Sequence, residues 1–509
     1  METQNIDNKR IAKNTIFLYI RMLFVLIVTL YTTRIVLNEL GIEDYGIYNI
    51  VCGFVALFGF LNTSLSQAIQ RFYNYELGKG DREAVSKVFN TSIVIQLLLI
   101  FLLLIIIELI GYYWFSSKLV VPDNRRDAAW IVFQFSIVSM FVNILSTPYS
   151  AMILSFERMN YYALVSITDA VLKLLVAISL SYVTFDKLIY YGSLLLMTSI
   201  LNLFMYSVYC HKKFSFRINF QFDKQLLRPM FEFSGWNIFG SFASIIKTQG
   251  TNILLNSFFG VVVNASSGIA AQISSAIQHF SLNIVLAFRP QLITAYSQGN
   301  IHRVQKMMFT MSKIGFMLVF MLSIPVILEI DYILELWLGG VVPVYAPLFS
   351  KLTIAAMIIG VFNTPITQVI QATGKIKLYQ IVTSIVMCSI LPVSWILFKI
   401  GYNSSVIYWV TIIITAINQI FSLRILHNKF LFSYKIYIKK IIIPCLLLFI
   451  ASPILPSILS KCVETSIYRL IVVCISSCIS VIVLGYFILL DKYEKGLVKG
   501  YILNKFCNK

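Results

Sequence analysis

Charge is scarce in this chain. Asp, Glu, Lys and Arg together make up 12% of its 509 residues, about half of what a globular domain carries. Acidic residues are scarcest, 22 against 41 Lys and Arg, while 58% of the residues are hydrophobic and the mean hydropathy is +0.82. That balance excludes a soluble enzyme and a disordered protein. The eight cysteines are scattered, and the nearest pair, Cys474 and Cys478, has the i,i+4 spacing of a helix core, so neither a disulfide framework nor a metal site is expected. No G-x-x-x-x-G-K-[ST] sequence occurs, which argues against ATP as the energy source. We expect no cofactor and no catalytic residues.

What is there is apolar sequence in long runs. The first, residues 14–37, is too long for a signal-peptide core and lacks a small-x-small cleavage site, so it is expected to stay as a helix. A window of about 20 residues suits a hydrocarbon core of about 30 Å. It finds about fourteen spans: 14–37, 47–72, 88–115, 129–153, 161–181, 187–209, 232–256, 265–289, 307–329, 346–371, 378–399, 403–426, 440–460 and 467–490. A chain in lipid must satisfy its own backbone, so these are helices, and the fold class is an all-α polytopic membrane protein. The basic surplus then reads as topology rather than nucleic-acid binding. With both termini in the cytoplasm, the clusters at Lys212–Arg228, Lys429–Lys440 and Lys492–Lys509 all lie inside, while Glu39, Glu43, Asp44, Glu329, Asp331 and Glu335 lie outside.

The chain also repeats itself at a spacing of about 220 residues, the kind of period that decides architecture. TPYSAMILSFERMNYY from Thr147 returns as TPITQVIQATGKIKLY from Thr364, with Arg158 matched to Lys375 and Tyr162 to Tyr379. Arg34–Gly41 resembles Asn252–Gly260, Tyr75-Glu-Leu-Gly resembles Tyr296-Ser-Gln-Gly, and Arg71 corresponds to Arg289. The spacing covers six spans, an even number, so the two copies insert in the same orientation. We expect a six-helix lobe over 1–210, a cytoplasmic linker over 211–231, a second lobe over 232–427, and two extra helices with a basic tail over 428–509.

The 6+6+2 arrangement, the opening Lys13-Asn14-Thr15-Ile16-Phe17, the run GIEDYGIYNIV at Gly41–Val51, the Tyr75–Asp81 loop and the Gln371–Lys375 turn resemble the bacterial polysaccharide and O-antigen flippases. These form a branch of the multidrug/oligosaccharidyl-lipid/polysaccharide superfamily. The resemblance implies two lobes around a cavity in the inner membrane. It also implies transfer of an undecaprenyl-diphosphate-linked oligosaccharide to the outer leaflet during surface polysaccharide or lipopolysaccharide synthesis, alongside glycan polymerases and glycosyltransferases. Alternating access is the expected mechanism, with membrane lipid and a lipid-linked oligosaccharide as the partners. No nucleic-acid partner is expected.

Ionisable residues inside spans cost at least about 2.5 kcal/mol each on insertion scales, so each asks for a reason. Arg21 lies about 10 Å into span one, placed either to hold phosphate through its planar fork or to snorkel to the surface. Lys247 sits mid-span among Thr248, Gln249, Thr251 and Asn252 with no acid at i±3 or i±4, the pattern of a side chain facing a water-filled cavity and an anion. Arg71 and Arg289 occupy matched positions at helix ends, where topology alone explains them and a cytoplasmic mouth for a diphosphate is the functional reading. Asp169 and Lys173 are i,i+4, either a simple pair or a site coupling H+ or Na+. Glu108 is expected to be unpaired, a protonated acid shielded from lipid, and Arg34, beside Glu39 at the outer end of span one, to be an interface anchor or outer gate rather than a ligand. Pro148 and Pro365 interrupt spans four and ten at matched places. The rival readings are a cation-coupled multidrug exporter, which would need carboxylates where span one carries two arginines and no acid, and an integral-membrane glycan polymerase, which would need outer-face carboxylates or histidine on a sizeable loop.

Overall fold

A computed structural model describes residues 2–56, 58–117, 121–214, 219, 223–338, 342–430, 433–490 and 495. Among these residues there is no strand. The first part of the chain forms α1 (Glu2–Ala56), α2 (Gly59–Lys79), α3 (Arg82–Ser117), α4 (Arg126–Ser155), α5 (Met159–Ser179), α6 (Lys187–Phe214) and α7 (Lys224–Ser297). Then come α8 (Ile301–Leu328), α9 (Ile330–Leu338), α10 (Ala346–Gly360), α11 (Asn363–Thr373), α12 (Lys377–Cys388), α13 (Ile390–Lys399) and α14 (Val406–Phe430). The last are α15 (Tyr434–Tyr437), α16 (Ile443–Ala451), α17 (Ile454–Cys462) and α18 (Ile467–Ile488). The protein is an all-α, multi-pass membrane protein.

Eleven helices are long and apolar enough to cross a membrane among the described residues, and thirteen if each of two bent pairs counts once. The fourteenth expected span, 232–256, does not reach that hydropathy, because the polar run from Lys247 to Asn252 interrupts it. Outward-facing apolar side chains such as Leu109 (70% exposed) and Phe487 (65%) are what a lipid surface requires.

The repeat is written into the backbone. α1 and α7 each contain two helices joined at a glycine, Gly41 (φ 77, ψ 172) and Gly260 (φ 81, ψ −175), in a region closed to residues with a Cβ. Left-handed residues also stand at Gly80 and Gly299, and at Glu157 and Gly374. The caps that follow the first pair match as well, Asp81 accepting from Ala84 N and Asn300 from Arg303 N. The matched prolines behave differently from each other. Pro148 lies within an unbroken α4, whereas spans ten and eleven each divide, with 43° between α10 and α11. Pro365 stands four residues after Val361, at that break: it has no N–H for the Val361 carbonyl and its ring crowds that carbonyl, so span ten is interrupted where its proline was expected to interrupt it.

The chain forms two compact units, one of Met1–Ser241 with Arg289–Gly299, the other of Phe242–Phe288 with Asn300–Lys509. In the first, α4 packs along α6 and α2, and α1 along α5. Val51, Leu103, Ile107, Val132, Phe133 and Leu188 fill one core there. The expected 211–231 linker is shorter in the structure, since 211–214 end α6 and 224–231 begin α7; between them Asn219 N donates to Asn90 Oδ1 (2.8 Å) and Asp223 N to Thr91 Oγ1 (3.2 Å), seating these residues on α3. The expected C-terminal basic cluster at Lys492–Lys509 falls outside the described residues apart from Lys495.

In the second unit α10 packs on α14, and α18 packs on α8 and α17. Phe320 stacks on Phe449 at 5.0 Å. Arg469 of α18 holds the buried carboxylate of Glu329, at the end of α8, through Nη2 (2.5 Å) and Nε (3.1 Å). The last two expected spans are therefore tied to the span that precedes α9.

Candidate functional site

Five elements of the first unit, α1, α2, α4, α5 and α6, line a half-open cavity of about 690 Å³ whose wall mixes polar and apolar side chains. Its walls begin at Val25 on α1 and continue through Thr29, Thr32 and Thr33. Asn49 and Cys52 stand on the stretch of α1 after Gly41, Asn62 on α2, Ser136, Ser139 and Asn143 on α4, and Ser199 on α6. So much hydroxyl and amide in apolar helices has a local cause. In a helix such groups satisfy their donors by bonding the carbonyl one turn back. Thr32 donates to Val28 O (2.8 Å), Thr33 to Thr29 O (2.9 Å) and Ser136 to Val132 O (2.8 Å). The amides of Asn49 and Asn143 donate to Tyr45 O and Ser139 O, both at 2.9 Å.

Asp169 and Lys173 lie on this wall, joined by an ion pair of 2.8 Å, and Asn202 Nδ2 donates to the other Asp169 oxygen at 2.7 Å. The i,i+4 spacing thus yields the simple pair read from the sequence, with a third partner from α6 that the sequence did not indicate. Arg21 is adjacent to the cavity. Its guanidinium sits 5.0 Å from the Tyr162 ring and 3.5 Å from Ser166 Oγ on α5. Val25 is one turn further along α1, and Asp169 one turn further along α5. Half-buried between two helices, Arg21 is not the exposed snorkelling side chain of the alternative reading.

Arg71 and Arg289 are buried, 8% and 6% exposed, rather than open to water as surface topology signals would be. Arg71 lies 4.7 Å from the Phe72 ring, 5.0 Å from Tyr75 and 5.6 Å from Phe233. The stretches that carry the two arginines pack together within the first unit, where Thr294 Oγ1 donates to Asn74 O at 3.4 Å. In the second unit Lys247 is half-buried, with no ion-pair or hydrogen-bond partner among the described residues. One turn before it along α7, Ala243 O accepts from the Cys388 thiol of α12 (3.6 Å).

One other sequence expectation needs correction: Glu108 has a partner, Gln134 Nε2 at 3.5 Å. Glu39 accepts from Lys187 Nζ and Ser181 Oγ, each at 2.8 Å, and Arg34 is exposed. Two features were missed. Arg125 forks between Asp44 (2.7 and 2.5 Å) and Asp186 (2.6 and 3.3 Å), closing three connections at one end of the first unit. Lys313 is 3% exposed in α8, and its isolation in an apolar helix was the signal available.

Burial pushes the Asp186 carboxyl up, but the Arg125 guanidinium and the N–H groups of Ile189 and Leu188 outweigh it and hold the group below the usual carboxylate range.

The fold and cavity define a helical membrane protein with an internally repeated architecture, and known proteins share it. A MATE protein in its straight conformation superposes with a TM-score of 0.71 at 14% identity, covering 83% of this chain and 96% of that one. An outward-facing multidrug resistance MATE family transporter of the MOP superfamily gives 0.70 at 13% identity, with 83% and 96% covered. A MOP superfamily transporter from Pyrococcus furiosus, described as having a binding pocket of reverse polarity, gives 0.68 at 14%, again with 83% and 96% covered. At these identities the likeness establishes the fold. No curated protein matches the chain. The polysaccharide biosynthesis protein family matches residues 11–293, more than half of the sequence, and the chain belongs to that family.

Proposed function

We propose that the protein is a flippase that moves an undecaprenyl-diphosphate-linked oligosaccharide from the cytoplasmic to the outer leaflet of a bacterial inner membrane by alternating access. Both termini lie in the cytoplasm in this reading, and the product feeds surface polysaccharide, O-antigen or lipopolysaccharide synthesis. Membership of the polysaccharide biosynthesis family is the observation that carries it. The charge pattern supports an anionic head group. The first expected span contains Arg21 and no acid, and Lys247 stands within the membrane without a carboxylate partner among the described residues. Arg21, Lys247, Arg71 and Arg289 are the proposed contacts for the diphosphate as it enters and crosses, planar guanidinium forks and an ammonium being the groups that hold phosphate oxygens.

Asp169 and Lys173 are the proposed coupling pair. An H+ or Na+ that takes the carboxylate releases the ammonium, so the pair's state changes with an ion gradient. Because the fold is shared with multidrug transporters, cation export is the second reading. Against it, the one carboxylate on the cavity wall, Asp169, is already neutralised by Lys173. The test is export of surface glycan in cells lacking the protein. The wild-type chain should restore it, Lys247→Ala should not, and Lys247→Arg should restore part. Full export by Lys247→Ala would remove the main cationic contact from the reading.

A further inference from the structure

We infer that the cavity of the first unit is a saccharide site, which holds the first sugar rings of the glycan while the diphosphate stays at Arg21. This deepens the flippase reading and rests on it. The argument starts from where the donors go. Thr32, Thr33 and Ser136 spend their hydroxyl hydrogens on carbonyls of their own helices, so they offer oxygen lone pairs, while Asn49 and Asn143 each spend one of two N–H groups and keep the other beside an amide oxygen. A wall of uncharged acceptors with a few donors suits a ligand that both gives and takes hydrogen bonds, and a sugar ring is such a ligand, with a hydroxyl on most of its carbons.

Net charge narrows the choice. The Asp169–Lys173 pair is self-neutralised, and among the described residues no other Asp, Glu, Lys, Arg or His lines the cavity. A diphosphate would find no uncompensated positive charge here, because the Lys173 ammonium is already paired. A drug-like cation would find no uncompensated carboxylate. A neutral polyol meets neither penalty, and the pair adds both a strong acceptor and a strong donor for its hydroxyls. Size agrees: about 690 Å³ falls in the range of about 300–1,000 Å³ that small-molecule sites occupy, far more than a coupling ion needs. The apolar side of a sugar ring also has a surface to meet. Tyr48 and Tyr191 line the cavity, packed edge to face with their ring centroids 5.0 Å apart.

Position completes the case. Arg21 lies one turn from the cavity along both α1 and α5, so a phosphate held there leaves its first sugars beside the cavity wall at Val25. With cytoplasmic termini, the cavity occupies the outer half of the unit, on the side where the glycan is released.

The experiment uses the full chain in nanodiscs. The probe is the free oligosaccharide released by mild acid from the lipid-linked intermediates that build up in cells lacking the protein, radiolabelled and measured by equilibrium dialysis. Alkylation of Cys52, which lines the cavity, is followed in parallel by peptide mass spectrometry. Saturable binding that slows Cys52 alkylation is expected, with affinity falling at least tenfold in Asn143→Leu and Thr33→Val chains whose melting temperatures match wild type. Inorganic pyrophosphate should not protect Cys52. If the glycan accumulates but does not bind at millimolar concentration, binds both variants as it binds wild type, or leaves Cys52 unprotected, the saccharide site is overturned while the flippase reading stands. If no lipid-linked glycan accumulates, the flippase reading fails and this inference with it.

Discussion

Arg125 shows how much one side chain can tie together. Its fork meets both oxygens of Asp44 and both of Asp186, and these three groups are only 18–28% exposed. Arg125→Ala leaves two carboxylates without their counter-charge and should cost about 1–3 kcal/mol, read as a lower melting temperature. The pH dependence follows from Asp186. Its folded pKa is depressed, so its stabilisation is complete above the ordinary carboxylate value of about 3.9 and disappears as pH falls through the lower folded value. Melting curves should therefore show wild type losing its advantage over Asp186→Asn as pH drops below about 4, and keeping it at neutral pH. What could be read from the sequence here depended on distance along the chain. Asp169 and Lys173 were legible because a helix brings i,i+4 side chains together. Arg125 was not, because Asp44 and Asp186 are 81 and 61 residues away and no local rule joins them. Lys247 was legible for the opposite reason, as a charge in a span with nothing nearby to neutralise it.

At the scale of elements, the internal repeat proved the most informative signal, since it predicts geometry as well as count. Gly41 and Gly260 adopt nearly the same rare backbone conformation at matched positions. Either glycine replaced by alanine should cost about 1–3 kcal/mol, measurable by thermal unfolding of the purified chain, because neither Cβ meets any other atom within 4 Å and the penalty is one of backbone alone. Hydropathy placed most spans but missed on span seven, where the polar run from Lys247 to Asn252 lowers it. The rule that finds membrane helices thus weakens at a helix that carries polar side chains. Proline marked a bend at one of two matched places: span ten divides just before Pro365, while Pro148 sits in an unbroken helix, so the ring's presence alone does not decide. The attachment of α18 gives a further test. Arg469→Ala strands Glu329, whose side chain is 1% exposed, and should destabilise by about 3–5 kcal/mol. The Glu329→Leu/Arg469→Leu double variant should recover most of that loss, because the unpaired buried charge is then gone.

For the whole molecule, composition and charge fixed the class before any motif was considered, and the family match agrees with that class. The substrate was harder to read because its recognition is not a motif. The cavity is built from threonines, serines and asparagines that look, one at a time, like ordinary helix residues, and only their convergence from five elements makes them a wall. The central claim is transport of a lipid-linked glycan, and it is tested most directly by the sidedness of that lipid. In spheroplasts of cells lacking the protein, undecaprenyl-diphosphate-linked oligosaccharide should accumulate and remain shielded from an added, membrane-impermeant glycan-binding probe. Wild-type protein should bring it to the outer face, and Lys247→Ala should leave it inside. Equal exposure of the glycan with and without the protein would contradict the account.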